Sequence, residues 1–157
     1  MALEAKPGAW IAVFKAIEAQ GQLKGRDVLT ALATVIETQA KVNASAGSHT
    51  YGTKTPARPG SGPAVISGTL RRSLTHEPVK TLGPGHWQTR VGTGAGFFPG
   101  YGGSRTPSSR YGFYLERGLR GGLTYPFLLP AFRYGVGSPA RAIYDAVYGA
   151  RHWRKVT

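Results

Sequence analysis

The residues able to do acid–base or metal chemistry are few in this chain, and their spacing matches no known site. The sequence holds seven Asp and Glu side chains, four histidines and no cysteine. Disulfides, thiolate nucleophiles and cysteine metal sites are therefore excluded. His49, His76, His86 and His152 lack the spacing of metal ligands, and we expect each to be an ordinary surface histidine. The sequence predicts neither a metal nor another cofactor.

A hydrolytic site is not indicated either. Serines are common, but no strand–turn–helix nucleophile elbow surrounds any of them. Glu116 and Asp145 are the only carboxylates after residue 77, and both occur among arginines. We interpret Glu116 as the ion-pair partner of a neighbouring or facing arginine; a lone catalytic acid is the alternative, and it has no supporting groups. We predict that the chain is not an enzyme.

Two glycine-rich strings superficially resemble nucleotide-binding loops. Residues 135–140 have the letters of a dinucleotide fingerprint, but no predicted strand precedes them and Pro139 lies within them. Residues 92–96 lack the Lys-Ser/Thr pair of a phosphate loop. We interpret both as turns.

The strongest compositional feature is a net charge of +13, which is unevenly distributed. Residues 1–42 carry five Lys/Arg and four Asp/Glu, whereas residues 43–157 carry fifteen and three, and twelve of those fifteen are arginines. Such a field favours an anionic partner: nucleic acid, an acidic protein surface or anionic lipid. Arginine forks match phosphate and carboxylate geometry. A solvated basic surface without a dedicated partner is the alternative.

Basic and aromatic residues alternate around 105–120 and 151–154. Aromatic rings can stack on bases while arginines neutralise phosphates. No helix-turn-helix, zinc-finger or RNA-recognition signature accompanies them, so non-specific DNA contact is favoured over sequence reading. Tyr111, Phe113 and Tyr114 are equally suited to a core or a subunit contact.

Size and hydropathy favour one domain over residues 1–157, with 41% hydrophobic residues to form a core. No run of eighteen apolar residues occurs, and the N-terminus does not resemble a secretion signal. We expect a protein made in the cytoplasm, used there at least until assembly, and without a membrane partner.

Helical periodicity predicts a helical N-terminal part over residues 8–42. Trp10, Val13, Phe14 and Ile17 fall on one face of a first helix, for which Gly21 is the expected stop. A second helix, capped by Asp27, is expected to run to about residue 42. Residues 43–64, rich in Pro, Gly and Ser, are predicted to be a long exposed loop.

Strands are expected from residue 70 to 93. Residues 79–82 and 87–91 predict a hairpin around the turn at 83–85, with Trp87, Thr89 and Val91 on one face and Gln88 and Arg90 on the other. A glycine-rich loop over 92–110 should precede a short helix or turn at 111–118. A last helix should begin at Ser138 and end among the cations at 151–155.

Three short motifs follow one another along the chain. The first is small-Gly-x-Leu-x-x-Ser at 67–73, the second Tyr-x-x-x-x-Glu-x-Gly at 111–118, and the third Pro-Phe-Leu-x-Pro-Ala at 126–131. Their order and spacing, over roughly residues 28–150, resemble the head–tail joining, neck or tail-completion proteins of long-tailed bacteriophages, which include the minor tail protein Z of lambda-like phages. The residues that match the family pattern are Gly68, Leu70, Ser73, Tyr111, Glu116, Gly118, Pro126, Phe127 and Pro130.

The resemblance implies an α+β protomer with N-terminal helices, a small twisted antiparallel sheet with long loops, and a C-terminal helix, the sheet and last helix lying within 65–150. It implies a structural protein of the virion neck that forms a ring, most often a hexamer, between the connector or stopper and the tail terminator or tail tube. Genomic DNA would pass through that ring without base readout. The glycine-rich stretch 94–110 and the helix at 8–20 depart from the family pattern.

We therefore expect residues 43–64 and 94–110 to be contact loops. Candidates for pairing with DNA phosphates or with carboxylates of neighbouring subunits are Arg71, Arg72, Arg90, Arg105 and Arg110. A free basic protein that binds nucleic acid non-specifically is the alternative function.

Overall fold

The computed structural model describes residues 7–49, 57–94, 108–118 and 122–148, with side chains of the first helix described from residue 24 onward. The described elements are five helices and four short strands, so the predicted α+β class is confirmed. None of the described helices is both long and apolar enough to cross a membrane.

Helix α1 spans Pro7–Asn43 without interruption, so the prediction of two helices divided near Gly21 is wrong. One glycine costs a helix only about 1 kcal/mol, and no proline or turn residue reinforces it here. The Gly21 carbonyl also accepts a hydrogen bond of 3.5 Å from the hydroxyl of Tyr148. Asp27 lies inside the helix and is exposed, so it does not cap a second helix.

After α1, the segment around Gly47 packs directly beside the segment around Ala64. The Gly47 N–H donates to the Pro63 carbonyl at 3.4 Å, and Gly47 forms a parallel bridge with Ala64. Ala57 and Pro63 are buried. The prediction of an exposed loop is therefore wrong at these buried positions, whereas Arg58, Pro59 and Gly60 are exposed as predicted. Glycine and alanine allow the two backbones to approach this closely; residues 50–56 lie outside the described residues.

The strands form two separate two-stranded antiparallel sheets. Strands β2 (Lys80–Gly83) and β3 (His86–Gln88) form the predicted hairpin, with Thr81 opposite Trp87. Strands β1 (Leu74–His76) and β4 (Val91–Thr93) form the other sheet. Burial alternates as predicted, with Trp87, Thr89 and Val91 half-buried and Gln88 and Arg90 exposed. The predicted continuous strand over 87–91 is wrong, because β3 ends at Gln88 and Val91 pairs with His76 in the other sheet. Residues 69–73 are not a strand but the short helix α2 (Thr69–Ser73).

Three helices complete the fold. Helix α3 (Ser108–Arg117) confirms the predicted short helix before Gly118. Helix α4 (Leu128–Gly135) was not anticipated as a separate helix, because its Pro130 reads as a breaker although it lies in the first turn, where its missing N–H would have had no helical partner. Helix α5 (Ser138–Tyr148) begins at the predicted serine, and its expected end at 151–155 lies outside the described residues.

The core forms where α1 meets α4 and the two central motifs. Ile36 and Ala40 of α1 belong to one buried cluster with Leu74, Leu115 and Phe127. Small residues bring α1 and α4 together, because a side chain at Gly135 would overlap Ile36. This contact fixes the position of α4, and through it the third motif.

Candidate functional site

The first motif, at 67–73, makes a tight entry into α2. Gly68 has φ +70°, a left-handed conformation that favours glycine. The fully buried Ser73 donates its hydroxyl to the Leu70 carbonyl at 2.7 Å. Both residues therefore satisfy backbone requirements and leave no reactive group facing solvent.

The second and third motifs are joined by the carboxylate of Glu116. Its Oε2 accepts hydrogen bonds from the backbone N–H groups of Phe127 (2.9 Å) and Leu128 (3.1 Å). Its Oε1 accepts one from the N–H of Leu129 at 2.8 Å. These three N–H groups lie at the N-terminus of α4, whose N-cap residue Phe127 provides no capping side chain. Glu116 thus caps a helix from another element, and its charge suits the positive helix end.

This arrangement corrects the expected role of Glu116. No arginine among the described residues lies within ion-pair distance of it. The free N–H groups of α4 occupy both of its oxygens instead. The sequence could not show this, because the cap and the capped helix lie eleven residues or more apart.

All three motifs meet in one place. A side chain at Gly112 would touch Leu70 of the first motif at 3.3 Å and Phe127 of the third at 3.4 Å. The Asn43 side-chain amide of α1 donates to the Phe127 carbonyl at 2.9 Å. The Tyr125 N–H donates to the Leu115 carbonyl at 2.7 Å. We call this region the motif junction; its members hold one another in place.

Other motif residues also serve the junction. Gly118 ends α3 with φ +125°, a conformation that strains residues with a side chain. Pro126 is half-buried ahead of α4. Burial and the neighbouring Tyr125 raise the pKa of Tyr111 above its ordinary value.

The candidate arginines are only partly brought together. Arg71 and Arg72 lie on α2, and Arg110 opens α3, which packs against α2. Arg90 lies at the far end of the β1–β4 ladder, where its carbonyl accepts from Glu77. Arg105 lies outside the described residues, as does most of the loop 94–110. The structure therefore places two of the five side by side on α2 and one on the neighbouring helix.

These arginines share two properties, exposure and the lack of a carboxylate partner. Among the described residues the only ion pairs are those of Lys41 and His76 with Glu37 and of Lys80 with Glu77. The Arg110 Nε donates to the Tyr114 hydroxyl at 3.0 Å, a contact that neutralises no charge. The arginines whose side chains are described are all exposed: Arg26, Arg58, Arg71, Arg72, Arg90, Arg110, Arg117, Arg133 and Arg141.

A second surface was not predicted from the sequence. An apolar groove of about 590 Å³ lies between α1, the β2–β3 hairpin and α5, and we call it the hairpin groove. Leu82 on its hairpin wall is 66% exposed. Its lining residues are Gly25, Val28, Leu29, Leu82, Gly85, His86, Trp87, Tyr144 and Tyr148.

Aromatic packing shapes this groove. The Trp87 ring packs so closely on α1 that a side chain at Gly25 would overlap it. Tyr144 and Tyr148 stack with ring centroids 4.5 Å apart, and the Lys24 ammonium lies 5.6 Å from the Tyr148 centroid. The sequence signal that could have indicated this groove is Gly25, a glycine within a helical pattern, because such a position leaves room for an aromatic ring such as that of Trp87.

Metal binding has no support in the described part of the chain, where no group of three His, Asp or Glu side chains is close enough to hold an ion. Comparison of the chain with family models, with curated proteins and with solved structures found no match.

Proposed function

We propose that the chain is a structural virion protein of the neck of a long-tailed bacteriophage, and not an enzyme. In this proposal it forms a hexameric ring that joins the connector or stopper to the tail terminator or tail tube. DNA passes through the ring. The ordered motifs of the sequence support the proposal, since all three build one framework around Glu116 and Phe127.

The observation that carries the proposal is the state of the arginines. They are exposed throughout the described residues, and no described carboxylate pairs with them. Unpaired surface arginines attract phosphates or the carboxylates of a neighbouring subunit. A lining of this kind attracts DNA through its backbone alone, which suits a passage that must accept any sequence.

Localisation in the particle tests the proposal directly. Electron microscopy of virions that carry a tagged copy should show the label at the head–tail junction. The purified chain should be monomeric or a mixture, and should form rings on a tail tube or connector. A label found only in the capsid shell or the tail tip, or particles that lack the protein yet keep firm tails, would overturn the proposal.

A free nucleic-acid-binding protein is the second candidate, and the adjacent exposed Arg71 and Arg72 of α2 favour it. A salt titration of DNA binding separates the two functions. The neck protein should bind duplex DNA weakly, with affinity vanishing near physiological salt. Tight or sequence-selective binding at that salt would support the second candidate.

The arginine cluster itself can be tested in the same titration. Arg71→Ala and Arg72→Ala should each weaken binding uniformly across DNA sequences and reduce the salt slope by about one. Lys80→Ala is the matched control, because Lys80 already pairs with Glu77 at 3.2 Å and should contribute less to the slope. Equal effects of all three substitutions would exclude Arg71 and Arg72 as the phosphate site.

A further inference from the structure

The hairpin groove is an apolar surface for which the described fold offers no occupant. Leu82 projects from its wall with two thirds of its surface exposed, beside the half-buried rings of Trp87, Tyr144 and Tyr148. Exposed apolar surface rimmed by polar groups marks interaction sites in soluble proteins. The exposed Lys24 of α1 is one such polar group, since its ammonium lies 5.6 Å from the Tyr148 ring centroid.

A matching element is present in the same chain. Trp10, Val13, Phe14 and Ile17 follow the i, i+3, i+4, i+7 spacing of an amphipathic helix, and the backbone of α1 is helical through all of them. Tyr148, the last described residue of α5, reaches α1 at Gly21. Residues 8–20 lie beyond that point and add about 20 Å of helix.

We propose that the hairpin groove is the docking site for residues 8–20 of α1 from a second copy of the chain. An amphipathic helix that lays its apolar face in a hydrophobic groove is a common recognition mode, and its anchors have this spacing. The groove cannot receive the same residues of its own chain. Val28 and Leu29 of α1 line it, and α1 is continuous, so its own first turns extend away from the groove.

Charge favours this segment over the other exposed apolar face. Residues 1–20 contain Lys6 and Lys15 against Glu4 and Glu18, a balance of zero, whereas the whole chain carries +13. The alternative is the face of α4 formed by Leu129, Phe132 and Val136, which are each about half exposed. Helix α4 contains Arg133 and no acid, so it would bring a further cation to a groove whose edge already holds Lys24.

The contact has a consequence for assembly. It joins one surface of a copy to a different surface of the next, and such heterologous contacts generate closed rings or open filaments. The inference therefore rests on the self-assembly in the proposed function and names the surfaces that perform it.

Disulfide trapping tests the contact, because the natural chain has no cysteine. Full-length Phe14→Cys is mixed with full-length Leu82→Cys and oxidised, and the mixed dimer is measured. Its yield should exceed by about tenfold that of Phe14→Cys mixed with Val42→Cys. Val42 is the matched control since it is 56% exposed and lies near the other end of α1. Equal yields would overturn the proposal, whatever the oligomeric state.

Charge substitution gives a second measurement, by light scattering over a concentration series or on a tail-tube template. Leu82→Asp should weaken assembly about tenfold, since docking would bury an unpaired carboxylate. Phe132→Asp, at a position 51% exposed on α4, should leave assembly unchanged. The opposite pattern would identify α4 as the interface and overturn the proposal.

Two further outcomes separate this inference from the proposed function. If Trp153→Ser weakens assembly while Phe14→Ser does not, the C-terminal segment occupies the groove and the inference is wrong. If the protein lies at the neck and forms rings that ignore Phe14 and Leu82, only the inference fails. If it lies elsewhere in the particle yet the mixed dimer forms, only the proposed function fails.

Discussion

The motif junction and the hairpin groove use the same kinds of residue in opposite ways. At the junction, Phe127 is 2% exposed and Glu116 accepts three backbone N–H groups. At the groove, Leu82 is 66% exposed, and the indole N–H of Trp87 is buried with no partner among the described residues. The junction is filled by residues of one chain, whereas the groove presents apolar surface that no described residue covers.

The difference shows that the residues carrying a recognisable pattern are not the residues available to a partner. Gly68, Ser73 and Glu116 satisfy backbone groups inside the fold. The groove lies outside the three motifs, and the exposed Arg71, Arg72 and Arg117 occupy positions within them that the motif patterns leave variable. Substitutions in the two regions should therefore affect different measurements: stability for the junction and association for the groove.

The largest effect on stability is expected from truncating the buried Phe127 side chain of the motif junction. Phe127→Ala should lower the free energy of unfolding by about 3–5 kcal/mol, because it removes a buried ring and leaves a cavity. Urea denaturation followed by circular dichroism measures this loss. Phe132→Ala is the matched control: Phe132 is 51% exposed on the same helix, and its loss should cost about 1 kcal/mol or less. Similar costs at both positions would contradict the contrast.

Removal of the Glu116 cap should have the next largest effect. Glu116→Ala should cost about 2 kcal/mol, because it leaves three N–H groups at the start of α4 without their acceptor. Glu116→Gln keeps one acceptor oxygen and should cost about half as much. Hydrogen exchange at Phe127, Leu128 and Leu129 should quicken in both variants. Unchanged exchange would show that another group caps the helix.

A smaller effect is expected at the floor of the groove. Gly25→Ala should destabilise the protein by about 1–2 kcal/mol, because the added methyl group overlaps Trp87 and displaces the hairpin. Gly21→Ala is the control on the same helix. Its methyl group meets nothing within 4 Å, and alanine favours the helix, so this change should stabilise by about 0.5–1 kcal/mol. Opposite signs in thermal melts are the expected result.

The smallest effect concerns the contact between α1 and β1. Burial by itself raises the pKa of Glu37, but hydrogen bonds and positive charge from Lys41 and His76 outweigh it and hold the pKa below the ordinary 4.5. The stability that ionised Glu37 contributes to the folded protein should be complete above pH 4.5. It should be lost as pH falls through the lower pKa that Glu37 has in the folded state. Glu37→Gln should remove that part of the acid dependence, at a cost of about 1 kcal/mol or less.

The exposed Glu77–Lys80 pair provides the control for this titration. Both side chains are largely exposed, at 43% and 65%. Glu77→Gln should therefore leave the acid dependence of stability unchanged within about 0.5 kcal/mol. If Glu77→Gln changes the stability at acid pH as much as Glu37→Gln does, the pairing of Glu37 with His76 across α1 and β1 is not the source of the acid dependence.

Local chemistry was sufficient for several elements of this fold. Alternation around Trp87 with glycines at 83 and 85 predicted the hairpin and its alternating burial, since period-two patterns and turn residues act over a few positions. It did not predict that Val91 pairs in a separate sheet. The Ser138-Pro139 pair likewise marked the start of α5. The division of α1 at Gly21 failed, because a penalty of about 1 kcal/mol does not stop a helix that continues on both sides.

The sequence by itself determined the excess of arginine, the absence of cysteine and the periodic faces of the helices. These depend on composition and on neighbours along the chain. Only the tertiary structure decided that Glu116 caps α4, that the three motifs converge on Phe127, and that α1, α5 and the hairpin enclose a groove. Each of these joins residues distant in the chain, and such contacts are set by the packing of the whole core and not by local preference.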